Sequence, residues 1–237
     1  MGVLSNKQIM EHYKRGNVII DPLIPENVNG SSVDVTLGEH FYATDPNGDP
    51  YPKLFNPYDQ EDVDRYFRYF PALPFAEHSK MQEVFGPRKL TGIPEEAKII
   101  ILRPGERVLG HTQEFIGIKE GTTSMQAKSS MGRIGVAVCY DAGWGDPGYF
   151  NRWTMEIQNT NEHEHIPLVV GAPIAQIVFH ETGEVESEYS QLSGHYQSTS
   201  DLEQLKELWT PEMMLPRLGG KAVRLYAEDG VQLHPRG

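Results

Sequence analysis

Four short stretches carry side chains that could do chemistry. RWTMEIQNT, residues 152–160, has the alternation of a strand, with Trp153, Met155 and Ile157 on one side and Thr154, Glu156 and Gln158 on the other. If Glu156 faced a dry pocket, burial would raise its pKa toward neutrality and suit it to moving protons. Alternation alone also describes a half-buried strand with a wet polar face, so both readings stay open. AKSSMGR, residues 127–133, reads as a tight turn. Its backbone amides, the Ser129 and Ser130 hydroxyls, and the Lys128 and Arg133 charges could cradle a phosphate. A solvated loop between strands is the other reading. AGWGDPGY, residues 142–149, is a Gly/Pro turn in which Asp146 either shapes the turn or acts as an acid. EHEH, residues 162–165, sets His163 and His165 on alternate positions, yet no further metal-ligand spacing follows it.

Positioning these groups falls to a β-rich chain. From Lys98 onward, apolar runs alternate with turn residues: KIIILRPGERVLGHTQEFIGI as two or three strands, then RIGVAVCY, RWTMEIQNT, IPLVV and PIAQIVFHE. That spacing predicts a sandwich, jelly roll or barrel. Strands are also expected at Val18 to Ile20 and Val33 to Leu37. Helices are expected at Ser5 to Tyr13, where Ser5 and Gln8 have capping-box spacing. Two more are expected at about Gln60 to Phe70, where Val63, Tyr66, Phe67 and Phe70 share a face, and at Ser200 to Trp209. Residues 75–97 look irregular. The expected organisation is one domain over 1–237, with an insertion at about 45–95 and a helical appendage over about 198–237.

The chain has 237 residues, a net charge of −12 and 38% hydrophobic residues. That composition belongs to a folded globular protein. No basic face for nucleic acid is visible, and no run has the roughly 18 apolar residues of a membrane helix. The N-terminal MGVLSNKQIMEHYK lacks an apolar core, which argues against a secretory signal. Cys139 is the single cysteine, so an intrachain disulfide is excluded and a reducing, cytoplasmic location is expected.

Taken in order, SSVDVTLG (31–38), LRPGERVLGHTQEF (102–115), AKSSMGRIGV (127–136), AGWGDPGY (142–149), TMEIQN (154–159), PIAQIVF (173–179) and GHYQ (194–197) resemble the dCTP deaminases of the dUTPase/dCTP deaminase superfamily. The resemblance runs from about residue 4 to 197 around the insertion. It implies a mainly β, distorted jelly-roll or barrel subunit of the dUTPase-like type with a few peripheral helices. It also implies a homotrimer with active sites between subunits. The implied reaction is zinc-independent deamination of dCTP, or a related deoxynucleotide, to dUTP and ammonia, feeding thymidylate synthesis, with Mg²⁺ carried on the triphosphate. Glu156 would be the general base that activates water for attack on C4 of cytosine. Ser129 would hydrogen-bond in that network and Arg133 would stabilise charge. Lys128, Ser130 and Gln176 would hold the triphosphate, and the backbone around Ala142 would bind the base edge. Tyr149 would pack on the deoxyribose, and Tyr196 and Gln197 would close over the phosphates. The H-x-E and P-C-x-x-C signature of zinc deaminases is absent.

Several positions depart from the pattern. Cys139 stands where His is common, Asp141 where Thr or Ser is, Asn151 where Gly is, and His195 where Lys is. Lys128 with Gly132 resembles the bifunctional branch that forms dUMP, in which Asp146 would position the water attacking the α-phosphate. A dUTPase-like triphosphate hydrolase and a non-catalytic nucleotide sensor remain as alternatives.

Overall fold

The computed structural model describes residues 2–44, 54–87, 89–186, 196–218, 225–226 and 232–233. The chain opens on helix α1 (Asn6–Lys14), where the capping box is reciprocal. The Gln8 N–H donates to Ser5 Oγ (3.4 Å) and the Ser5 N–H to Gln8 Oε1 (3.0 Å). Strands β1 (Val18–Asp21), β2 (Val33–Thr36) and β3 (His40–Thr44) follow. The described part of the insertion holds α2 (Gln60–Tyr66), β4 (Phe67–Pro71), β5 (Leu73–Pro74) and α3 (Ser79–Phe85). Residues 45–53 of the insertion, and His195, lie outside the described residues.

The central run then gives β6 (Lys98–Leu102), β7 (Arg107–Ile118), β8 (Thr122–Ala127), α4 (Ser129–Arg133), β9 (Val136–Val138), β10 (Trp144–Gly145), β11 (Phe150–Asn159), β12 (Ile166–Val169) and β13 (Pro173–His180). Helix α5 (Leu202–Leu208) and a two-stranded ladder of β14 (Leu225–Tyr226) and β15 (Gln232–Leu233) complete it. One sheet has the order β4-β3-β7-β11-β9, with β1 also on β7; a second has β10-β8-β13-β2; a third has β12-β6-β5. The fold is mainly β with few helices, and these sheets are open. Val35, Ile116, Met155, Ile157, Ile177 and Phe179, all fully buried, centre the core between them.

Two expectations change and a third is narrowed. The helix expected to reach Phe70 stops at Tyr66, and Phe67–Pro71 becomes an edge strand on β3, with Phe41 opposite Phe70. The cause is local and tertiary together: aromatic residues favour a pleated surface, Pro71 disfavours helix before it, and β3 offers an open edge. Of the two or three strands expected over 98–118, two form, β6 and β7, and β7 runs straight through Gly110. A side chain there would meet Ile157 Cδ1 at 2.9 Å, so the glycine lets β11 pack close. The stretch from 75 to 97 is not wholly irregular, since α3 lies within it.

The tail is held by particular contacts. Leu205 is buried against Phe115 and Phe150, and Met214 against Tyr42 and Leu109. The Arg152 guanidinium lies between the Phe115 ring (5.0 Å) and the Trp209 ring (4.7 Å). The Asn151 amide donates to the Tyr196 carbonyl (2.6 Å), a bond a glycine could not make.

Candidate active site

Strand β11 buries Trp153, Met155 and Ile157 and turns Thr154, Glu156 and Gln158 the other way. Thr154 and Glu156 enter a cavity of about 440 Å³. Polar groups around it are Arg107, Thr154, Asp146, Tyr149 and Tyr196; the apolar lining is Phe67, Leu109, Trp144, Met214 and Pro216. Glu156 Oε2 is buried without a hydrogen-bond partner. Burial raises its pKa above the ordinary carboxylate value, more than the nearby Arg107 charge lowers it. A buried oxygen left unpaired is costly, and such groups gather where a ligand will supply the partner.

The turn from Cys139 to Tyr149 forms one flank of this cavity. Cys139 has φ +60°, a conformation that strains a non-glycine residue. Its N–H donates to the Glu156 carbonyl (3.0 Å), and the Ala142 N–H closes the turn onto the Cys139 carbonyl (2.9 Å). That amide is committed, so a base edge would be met by other backbone groups of the turn. Burial, with the Glu156 charge second, pushes the Cys139 thiol up to about 12, which leaves it neutral and inert. Gly145 is required by a close approach: a Cβ there would lie 2.2 Å from Thr123 Oγ1 and 2.7 Å from the Trp153 ring. The Tyr149 ring meets Trp153 edge to face at 5.3 Å.

The cationic residues stand elsewhere. Ser129, Ser130 and Arg133 are exposed on α4, a single helical turn rather than the loop expected. Lys128 forms an ion pair with Asp34 of β2. Gln176 of β13 lies opposite Asp34 in the ladder and accepts from Ser32 Oγ (3.4 Å). None of these five lines the Glu156 cavity. One chain thus gathers Glu156, Asp146, Ala142, Tyr149 and Tyr196 in one place, and Lys128 and Gln176 around Asp34 in another. Gln197 is buried beneath Tyr196. Its oxygen accepts from the Phe150 N–H (2.8 Å) and its nitrogen donates to the Gly148 carbonyl (3.3 Å), so it ties the tail to the turn.

Sequence reasoning missed Arg107, Leu109, Phe67, Met214 and Pro216. Arg107 and Leu109 alternate on β7, but only the register that sets Leu109 opposite Glu156 reveals their place. Phe67, Met214 and Pro216 come from the insertion and the tail, for which no sequence signal pointed at the site. Among the described residues no group of three His, Cys, Asp or Glu side chains, His163 and His165 included, is placed to hold a metal ion.

Comparison with known proteins agrees with this architecture. The model of the family described as dCTP deaminase-like matches residues 3–182. A dCTP deaminase, dUMP-forming, of Methanosphaerula palustris is 30% identical over 189 residues, covering 79% of this chain and 86% of that protein. Its namesake in Methanobrevibacter smithii is 32% identical over 181 residues, covering 76% and 80%. The solved 2′-deoxycytidine 5′-triphosphate deaminase from Agrobacterium tumefaciens shares the fold, with a TM-score of 0.51 and 17% identity, over 84% of this chain. The chain spans only 53% of that longer one. With its motifs in order and more than half its length matched, this chain belongs to the dCTP deaminase-like family.

Proposed function

We propose that the chain converts dCTP and two waters to dUMP, ammonia and pyrophosphate. The sequence reading put release of dUTP first; the relatives named as dUMP-forming favour the bifunctional alternative. The observation that carries the reading is the unpartnered, buried Glu156 Oε2 in a cavity that also holds Asp146.

Glu156 takes a proton from water, whose oxygen attacks C4. It returns protons to the C4 amino group, and ammonia leaves as the carbonyl forms. Burial moves the Glu156 pKa upward from the ordinary carboxylate value, the direction that favours general acid–base catalysis. Asp146, exposed at the cavity rim, positions a second water for the α-phosphorus, and pyrophosphate departs. Tyr149 packs on the deoxyribose and leaves no room for a 2′-hydroxyl. Ser129, Ser130, Arg133, Lys128 and Gln176 reach the substrate from a neighbouring protomer of a homotrimer, a reading supported by their absence from the lining of the cavity in their own chain. Mg²⁺ carried on the triphosphate would neutralise phosphate charge; Asp146 and Asp34 are the carboxylates placed beside the two halves of the site.

Ammonia, pyrophosphate and dUTP followed together during dCTP turnover test this. Ammonia and pyrophosphate should appear in equal amounts without a pool of dUTP. Asp146→Asn should keep ammonia and let dUTP accumulate. Accumulation of dUTP by the unaltered protein restores the dUTP-releasing reading, and absence of ammonia overturns deamination. The acid limb of the kcat/KM profile should fall at a pH above the ordinary carboxylate value of 4.5, because the base works only when deprotonated.

A further inference from the structure

The Glu156 cavity is lopsided. On one flank, beyond β9, stands the Cys139–Ala142 turn, a stretch of backbone. On the other, Leu109 of β7 sits directly opposite Glu156. The lining continues past Leu109 to Phe67 on β4 and to Met214 and Pro216 of the tail. In the sheet order β4-β3-β7-β11-β9, β4 lies three strands from β11, roughly 14 Å at the usual strand spacing. The cavity therefore runs sideways from the acid along a wall that carries Arg107 beside Leu109 on β7 and is apolar from Leu109 outward to Phe67 and Met214. That wall is fixed: Tyr42, Leu109 and Met214 form a buried cluster with Phe67 and Leu215 packed on it. Met214 and Pro216 also lie beyond the residues, 3–182, that match the family.

Under the deaminase reading, on which this inference rests, three constraints orient a cytosine ring here. C4 stands over Glu156. N1, across the ring from C4, carries the sugar and points along β11 toward Tyr149. The N3–O2 edge only accepts hydrogen bonds, so it turns to backbone N–H groups of the turn after β9 other than the Cys139 and Ala142 amides, which are already committed. The C5–C6 edge, with no polar atom, is left facing Leu109, Phe67 and Met214. Unmodified cytosine ends there in a hydrogen, and the cavity continues past it.

We infer that the site takes a deoxycytidine triphosphate bearing a small apolar C5 substituent, with Phe67, Leu109 and Met214 as the pocket for that substituent. A 5-methyl group is the simplest member of the class. One methyl in an apolar pocket discriminates about 10- to 200-fold.

The test is ammonia release from 5-methyl-dCTP and from dCTP by the full chain with Mg²⁺. The methylated substrate should have a kcat/KM at least about 10-fold higher. Phe67→Ala and, separately, Met214→Ala should bring the ratio toward one. The ratio is taken within each protein, so a partly folded variant still reports it. Equal or lower kcat/KM for 5-methyl-dCTP in the unaltered protein overturns the inference and leaves the deaminase reading standing. No ammonia from either substrate overturns both. A preference that survives both variants overturns the assignment to this wall.

Discussion

Glu114 on β7 and Glu156 on β11 stand on paired strands, and burial raises the pKa of both. Their surroundings differ. Glu114 is 2% exposed and fully partnered: Oε1 accepts from Thr36 Oγ1 (2.7 Å) and Oε2 from the Thr36 N–H (3.0 Å). Close by, the Thr112 hydroxyl donates to the Glu114 carbonyl (2.7 Å). Glu156 is only half-buried as a residue, yet its Oε2 is withdrawn from water without a hydrogen-bond partner, and a cavity lies in front of it. Withdrawal from water therefore does not mark a working acid. What sets Glu156 apart, and what the proposed role rests on, is a missing partner in a space that a substrate could fill.

The sharpest way to break this contrast is Glu156→Gln. Ammonia release should fall about 10²- to 10⁴-fold, while the melting temperature holds and nucleotide still binds. A variant that unfolds would place Glu156 with Glu114 as structural. Next in size is subunit mixing. Glu156→Gln and Arg133→Ala should each be inactive, and co-refolding them should restore roughly a quarter of normal activity, as random pairing across a cyclic interface requires. No recovery would put both residues in one subunit's site.

The closed cluster should respond to acid instead. His111 is 2% exposed, and its neutral form satisfies two contacts: Nδ1 with the Thr112 carbonyl (2.8 Å), and Nε2 accepting from the His40 N–H (3.3 Å). Burial first, then the Arg152 and His40 charges, lower its pKa to about 4, against the hydrogen bond to the Thr112 carbonyl and, less, the Glu39 charge, which raise it. The unfolded chain takes up this proton near 6.5, so between about pH 6.5 and 4 the unfolded state binds more protons. Stability from His111 should thus fall with pH across that window, by up to about 3 kcal/mol. Buried carboxyls with raised pKa act in the opposite sense. The difference in urea midpoint between the unaltered protein and His111→Gln isolates the imidazole. Smallest is Thr36→Val, which strips the hydroxyl from Glu114 and should cost about 1–3 kcal/mol of stability. The ammonia-to-pyrophosphate ratio should not move.

Much of the fold was legible because it is local. The Ser5 and Gln8 box, the alternation of 150–159 and the turn residues between strands each follow from a few adjacent side chains. Phe67–Pro71 was misread because its helical spacing and its aromatic, proline-ended strand character compete, and the open edge of β3 decided between them. In the site, Glu156 and Thr154 could be placed on one face of a strand. Nothing local said whether that face met a cavity or solvent. Lys128 could be read as a phosphate ligand, while its ion pair with Asp34 joins residues 94 apart. Gln197 was expected at the phosphates, and the fold gives both ends of its amide to the backbone of the turn and tail.

The sequence by itself determined the strand periods, the caps, the ordered motifs and the family, because all of these are written in neighbouring residues. Only the tertiary structure decided which acid would be left without a partner and which wall would stand beside it. Register between β7 and β11, and the docking of an insertion and a tail, bring together groups whose separation along the chain carries no signal of their meeting.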